Sequence, residues 1–502
     1  MATVKLDPVT RLEGHMKVEV EIDDNNKVIG AKSTGNMFRG FEAMLKNRDP
    51  RDAVHITQRI CGLCPVSHGM AAVKALEASR EFTASSQAKI MRNLIQGGNF
   101  VSDHILHFYH LSLLDYVKGP DKSPWHTSYN TDMRFTKAES SKIFNNYVKA
   151  LDIRRKAHQM IALFAGRIPH VRSIMPGGVT KIPTADEINQ YKSYLAEVKD
   201  FVNNQYYEDV QKVASVYKDY FNIGKGYGNL ISFGVFEVEA GGKSQNLFRS
   251  GRYTKGQLLT VDFNKIKEST KYSWYEESNP LSINSEGTNP DINKAGAYSW
   301  VKATRYSNIP HEAGPIARMW INGDYRNGVS VMDRHVAKML EAKKIADALS
   351  IWIDNLNPYT ITSEQTTGYT YKPDLYDPKM HKFDYITAGE GIGTTEAPRG
   401  ALLHYVKYGI DPSKTTQSII ENYQVITPTC WNASPMDHKG QRGPLEQALI
   451  GVKIQDVNNP VELLRIVHSF DPCTACAVHI MTPDKSVDKS FIVSAPNPSG
   501  VL

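Results

Sequence analysis

Four of the five cysteines stand in two Cys-x-x-Cys pairs. Cys61 and Cys64 lie in "RICGLCPVSH", with His68 four residues on. Cys473 and Cys476 lie in "DPCTACAVH", with His479 three residues on. Cys430 is left over. Thiolates are soft donors that suit zinc, iron–sulfur clusters and borderline ions such as nickel. Each pair can bite one ion, and two pairs make a four-sulfur site. Roughly 400 residues separate the pairs, whereas zinc ribbons keep theirs about 15 to 20 apart. The fold therefore has to assemble the site from near both ends of the chain. On the cysteines alone two readings stand: a structural zinc clasp, and a centre that does chemistry. No βαβ pattern surrounds either pair, which disfavours a thioredoxin-like dithiol.

A closed structural zinc site needs no titratable groups around it. Here several stand in unusual places. Arg11, Glu13 and His15 come just ahead of a strand in "DPVTRLEGH". Arg399 lies between Pro398 and Gly400 in "APRG", which is loop chemistry. Asp103 sits inside a long apolar helix, where an acid is costly unless paired. Each also has a plain explanation: Glu13 as a surface acid, Arg399 as a helix cap, Asp103 paired with His107 one turn on. "GKGYG" (224–228) lacks the strand–loop–helix context of a nucleotide site.

Helices must supply most of the framework. Leu94, Val101, Ile105, Phe108 and Leu111 recur at helical steps and predict one long helix over 85–117. Thr184 and Glu187 form a capping box that starts a second. A third is predicted over 331–356. "FRGFEAMLKNRDPRDA" reads as a helix broken near Pro50. "MKVEVEID" alternates and turns at "DNN" into "KVIGAKS", a hairpin with one buried face. Between about 222 and 310, "NLISFGVFEVE" and "QLLTVDF" read as strands of a mixed insertion. The fold class is mainly α with small β-sheets (α+β), built around a long-helix bundle.

The chain has 502 residues and a net charge of +6 from 59 basic and 53 acidic side chains. No Lys/Arg block is dense enough for nucleic acid. Five cysteines in so large a chain are not a disulfide framework. The first residues do not read as a signal peptide, and no run is long and apolar enough for a membrane span.

Taken together, the segments resemble the large, catalytic subunit of [NiFe] hydrogenases. The resemblance is carried by "RLEGH", "RGFE", "RDPRDAVHITQRICGLCPVSH", "EAGPIAR", "APRGAL", "ENYQVITPTCWN", "GPLEQAL" and "DPCTACAVH", in the family's order. It implies that Cys61, Cys64, Cys473 and Cys476 ligate nickel. Cys64 and Cys476 would also bridge to an iron carrying CO and cyanide. Glu13 would pass protons beside Cys473. Arg399, Asp103 and Asp471 would form a polar canopy over the metals, with His68 behind Cys64. Pro398 and Thr429 would face the iron's diatomic ligands. Glu42, the Val425 carbonyl and His479 would hold Mg2+. The chain would be one domain over 1–479, with an extension, 480–502, that a maturation protease removes after nickel-insertion factors have acted.

Splitting H2 heterolytically needs a Lewis acid and a base for the proton, and a thiolate beside a carboxylate supplies the latter. One cysteine beyond the quartet cannot hold an iron–sulfur relay. An iron–sulfur small subunit is the partner that the resemblance implies. The membrane-linked uptake class is favoured, with a cytochrome b or quinone-linked subunit and export to the periplasmic or outer membrane face on the small subunit's signal. A cytoplasmic coenzyme F420-reducing type is the alternative. The sequence departs from the family pattern at Cys430, Met436 and Thr304, none of them a metal ligand.

Overall fold

The computed structural model describes residues 2–122, 125, 129, 131–240, 243–276, 280–285, 289–359, 375, 387–414 and 417–477. The apolar period over 85–117 forms the helix Ser86–Leu106, whose N-cap Ser85 accepts from the Ala88 N–H at 3.2 Å. It runs on as a π turn, His107–Ser112, and a 3-10 turn, Leu113–Asp115. The Thr184–Glu187 capping box starts Ala185–Phe201 as read, and the third helix is Val331–Asp354. A fourth, Lys137–Ala165, went unread, although Thr136 and Glu139 give it the same capping box. It is the longest helix among the described residues. Ser86–Leu106 packs on Lys137–Ala165 and on Val331–Asp354, and Ala185–Phe201 packs on the same two. Leu94, Val101, Ile153, Ile161, Leu195, Ile345 and Leu349 fill the space between them.

The sheets are small and antiparallel. Ala2–Leu6, Met16–Ile22 and Val28–Gly35 make the expected hairpin plus one strand. Leu230–Ser232 and Val235–Ala240 confirm strands in the mixed region. Another sheet, Gly389–Ala397, Gly400–Ile410 and Ser418–Ile426, was not anticipated. The helix Pro65–Arg80 lies directly on its first strand. A Cβ on Gly391 would stand 2.1 Å from the Ala75 carbonyl oxygen, and one on Gly393 2.0 Å from that of Ala71. Only glycine admits so close an approach. This contact seats Pro65–Arg80 against the first strand of the hairpin whose turn carries Arg399.

Candidate metal centre

Cys61 follows the 3-10 turn Thr57–Ile60, and Cys64 is the N-cap of Pro65–Arg80. Pro65 suits the first helical position, where an N–H would go unused. The helix dipole there favours a negative group such as a thiolate. The N–H groups of Leu63 and Cys64 both donate to Sγ of Cys61 at 3.3 Å. Cys473 arrives from the other end of the chain, with its Sγ 3.4 Å from that of Cys61. The sulfurs of Cys61, Cys64 and Cys473 lie within 4.8 Å of one another, and all three residues are buried. The backbone of Cys476 follows in the helix Thr474–Ala477. Its side chain and the whole of His479 lie outside the described residues.

Two contacts hold the two ends together, and a third anchors Cys473. Glu13 and Cys473 form a parallel bridge, in which the Thr474 N–H donates to the Glu13 carbonyl at 2.8 Å. Gly14, at φ 87°, makes room: a Cβ there would stand 2.3 Å from the Ala475 nitrogen. The Arg39 guanidinium donates to the carbonyls of both Ile60 and Ala475, one from each cysteine segment. The Cys473 N–H donates to Oγ1 of Thr429 at 3.0 Å. Arg39 was not singled out from the sequence, although it lies in the quoted "RGFE".

Arg399 occupies the two-residue turn that closes the Ala397–Gly400 pair. It is therefore not a helix cap. One of its terminal nitrogens donates to Oδ1 of Asp103 at 3.0 Å, and its Nε lies 3.0 Å from Oδ1 of Asp471. Oδ2 of Asp471 accepts from Nζ of Lys338 at 2.6 Å. Asp103 thus pairs with Arg399 and not with His107, whose Nε2 lies 2.7 Å from the His468 carbonyl. Beneath the turn, Arg318 donates to the carbonyl of Pro398 at 2.8 Å. His68, in the first turn of its helix, has Nδ1 3.1 Å from Nε2 of His404, whose Nδ1 is 2.7 Å from the Tyr423 hydroxyl.

Burial, then the Cys61 charge, raises the Glu13 carboxyl, against Arg399 and Arg39. Burial pushes Asp103 up to about 6, helped by Asp471 and opposed by Arg399. For Asp471 burial acts the same way, but Arg399 and Lys338 outweigh it and hold the acid well below the usual range. Burial lowers His68 to about 4, so its ring is neutral at ordinary pH. Burial also opposes the charge on Arg399, yet Asp103, Asp471 and the sulfurs of Cys473 and Cys64 more than restore it.

Oδ2 of Asp103, one terminal nitrogen of Arg399 and Nε2 of His68 are buried with no hydrogen-bond partner among the described residues. Each such atom costs about 1–3 kcal/mol. Soft donors beside unspent polar groups fit a thiolate-held metal centre with small polar ligands.

A second cluster involves Glu42 and Val425. Oε1 of Glu42 accepts the Val425 N–H at 3.0 Å and lies 3.5 Å from Nζ of Lys302. Lys302 is 2.6 Å from Oε2 of Glu268. Two buried carboxylates share one ammonium, so negative charge and oxygen donors remain for a hard cation. Lys302 and Glu268 were missed in the sequence.

A family model described as nickel-dependent hydrogenase matches residues 39–121, 118–329 and 322–479, and one described as HoxL-like matches 3–34. The periplasmic [NiFeSe] hydrogenase large subunit of Desulfomicrobium baculatum is 43% identical over 496 residues, 95% of each chain. The quinone-reactive Ni/Fe-hydrogenase large chain of Wolinella succinogenes is 31% identical, over 95% of this chain and 96% of that one. The crystal structure of a reduced, active form of the Ni-Fe-Se hydrogenase from Desulfomicrobium baculatum superposes with a TM-score of 0.85 at 41% identity, covering 95% of this chain and 100% of that one.

Proposed function

The chain belongs to the nickel-dependent hydrogenase large-subunit family, and from that premise we propose how its residues divide the work. It is the catalytic large subunit of a hydrogenase with a Ni–Fe centre, and it pairs with a small subunit. The zinc-clasp reading gives way to this one. The observation that carries the assignment of residues is the trio Cys61, Cys64 and Cys473, with the Glu13 backbone bridged to Cys473 and Arg399 held charged by Asp103, Asp471 and the sulfurs of Cys473 and Cys64.

Cys61, Cys64, Cys473 and Cys476 hold the centre, which supplies the Lewis acidity and redox capacity that H2 cleavage needs. Pro398 and Thr429 would pack against the carbon monoxide and cyanide that the iron would carry. The Cys473 thiolate accepts the proton, and Glu13 beside it carries the proton away. A carboxyl raised toward neutrality gives up that proton again easily. Arg399 cannot titrate at working pH. Its role is to present a fixed charge, aimed by Asp103 and Asp471. His68 orients the neighbourhood of Cys64 from behind.

Electrons pass to an iron–sulfur small subunit, since one cysteine beyond the quartet leaves this chain no relay of its own. The direction is H2 uptake. The quinone-reactive description of the Wolinella relative supports a membrane cytochrome b or quinone-linked partner. The periplasmic description of the Desulfomicrobium relative supports a place in the cell envelope. Among the described residues no helix is long and apolar enough to cross a membrane. Glu42, Val425 and His479 hold Mg2+, in keeping with the excess negative charge at Glu42 and Glu268. Nickel-insertion factors load the site, and a protease then removes 480–502. The family match running to residue 479 supports that boundary.

The test is Glu13→Gln in the nickel-loaded complex. Nickel is retained, while H2/D2 exchange and turnover fall by about 10²-fold or more, the scale of general acid–base catalysis. Native turnover in that variant would remove Glu13 from the proton route.

A further inference from the structure

Lys338 has no part in the function as described so far, yet its position is costly. It lies on the inner face of Val331–Asp354, in line with Val331, Ala342, Ile345 and Leu349, and its side chain is 3% exposed. Taking an ammonium out of water is costly unless it is well paired. Packing does not account for it. Lys338 lines a cavity of about 10 Å³ together with Arg399, Glu312, Arg334 and Asn432, room for about one water.

Its partner does account for it. Nζ takes Oδ2 of Asp471 at 2.6 Å, which leaves Oδ1 turned to Nε of Arg399 at 3.0 Å. Asp471 is itself held at φ 51°, a strained backbone for a side chain that must point one way. Asp103 holds the guanidinium from the other side. The four charges sum to zero. Without the ammonium the quartet would carry one net negative charge beside the cysteine sulfurs, and the Asp471 carboxylate could turn.

We propose that Lys338 is a positioning residue for H2 cleavage, acting through Asp471 to hold Arg399 against Cys64 and Cys473. This rests on the reading of Arg399 given above. The test uses the nickel-loaded complex with its small subunit and compares Lys338→Met with Lys338→Arg. Measurements are H2-dependent dye reduction, nickel content and the nickel electron paramagnetic resonance spectrum.

Lys338→Met is expected to keep its nickel, to lose about 10- to 100-fold in kcat, as supporting residues of metal sites do, and to shift the nickel spectrum. The KM for H2 stays within about twofold, because the loss is of an interaction made in the transition state. Lys338→Arg restores most of the rate and the native spectrum. A native rate and spectrum in Lys338→Met overturn the inference. So does equal impairment of both variants, since side-chain shape and not charge would then decide. If Lys338→Met fails to hold nickel, Lys338→Arg decides alone: a native rate and spectrum sustain the inference, and a loss of about tenfold overturns it. Arg399→Lys run alongside separates the two levels. A native rate there removes the reading of Arg399, whereas a loss there beside a native Lys338→Met removes only the role of Lys338.

Discussion

Arg318 and Arg399 are both buried, and each lies between two carboxylates, yet they are spent differently. Arg318 gives Glu341 two hydrogen bonds at 2.5 and 2.9 Å, gives Glu396 one at 2.6 Å, and gives the carbonyls of Ala397 and Pro398 one each. Those five contacts exhaust the five donors of a guanidinium. Arg399 makes one well-directed bond, to Asp103. It meets Asp471 only at ion-pair distance, and one terminal nitrogen goes unused among the described residues. Full satisfaction marks a strut; an unspent donor beside the clustered cysteine sulfurs marks a candidate site. Arg318 supports, from below, the turn on which Arg399 is presented.

The largest expected effect breaks the strut. Arg318→Met strands Glu341 and Glu396 as buried charges, at a cost of about 3–5 kcal/mol. Thermal unfolding should fall sharply, and nickel content with it. Unfolding at the native temperature would mean that Arg318 is not a strut. Arg399→Lys attacks the site instead. Lysine keeps the charge but loses the planar fork, so activity falls by about 10- to 100-fold while the unfolding temperature stays close to native. A parallel drop in stability would erase the contrast between the two arginines. Thr429→Val is a smaller change: the Cys473 N–H loses its acceptor, at about 1–3 kcal/mol. Thr429→Ser should restore the loss, and its failure to do so in thermal unfolding would point to the methyl group instead.

The sequence made the site more legible than the scaffold. Residues proposed to meet metal or proton are chemically unusual where they stand, as with Asp103 in an apolar helix. The scaffold hides for physical reasons. Gly400–Ile410 is buried on both faces along most of its length, so it has no alternation to read, and Gly389–Ala397 carries the glycines that let Pro65–Arg80 approach. Lys137–Ala165 buries small residues, Ala150 and Ala157, between charged ones, which blurs its apolar stripe. Lys338 could have been found. It interrupts the buried stripe of a helix that was otherwise read correctly, the same signal that marked Asp103. Arg318 could not, because a buried arginine announces itself only through carboxylates that the fold brings to it.

Glu446 sharpens the comparison with the smallest effect, one on stability and not on activity. Its Oε1 accepts from the Ser33 N–H at 3.0 Å and the Tyr298 hydroxyl at 2.9 Å, while Oε2 makes no hydrogen bond among the described residues. Like Arg399 it has an unspent atom, but no cysteine pair faces it. Burial pushes its carboxyl up to about 7 from an ordinary value of 4.5, against those hydrogen bonds and the Arg305 charge. The folded chain therefore keeps a proton that the unfolded chain has released between those two values. The group's contribution is complete below the unfolded value and is lost as pH rises through the folded one. Glutamine offers the same accepting oxygen and places an uncharged amide at Oε2. In Glu446→Gln this share of the decline should vanish: stability equals native at acid pH and exceeds it at alkaline pH, with turnover unchanged. Unfolding curves that run parallel to native across the range would show that the orphan oxygen is not filled by a proton. An unspent buried atom must be completed by something. A carboxyl can complete itself by protonation; Arg399 has no such recourse, and its unspent N–H needs an acceptor from outside the side chain, a water in the small cavity beside it or a ligand.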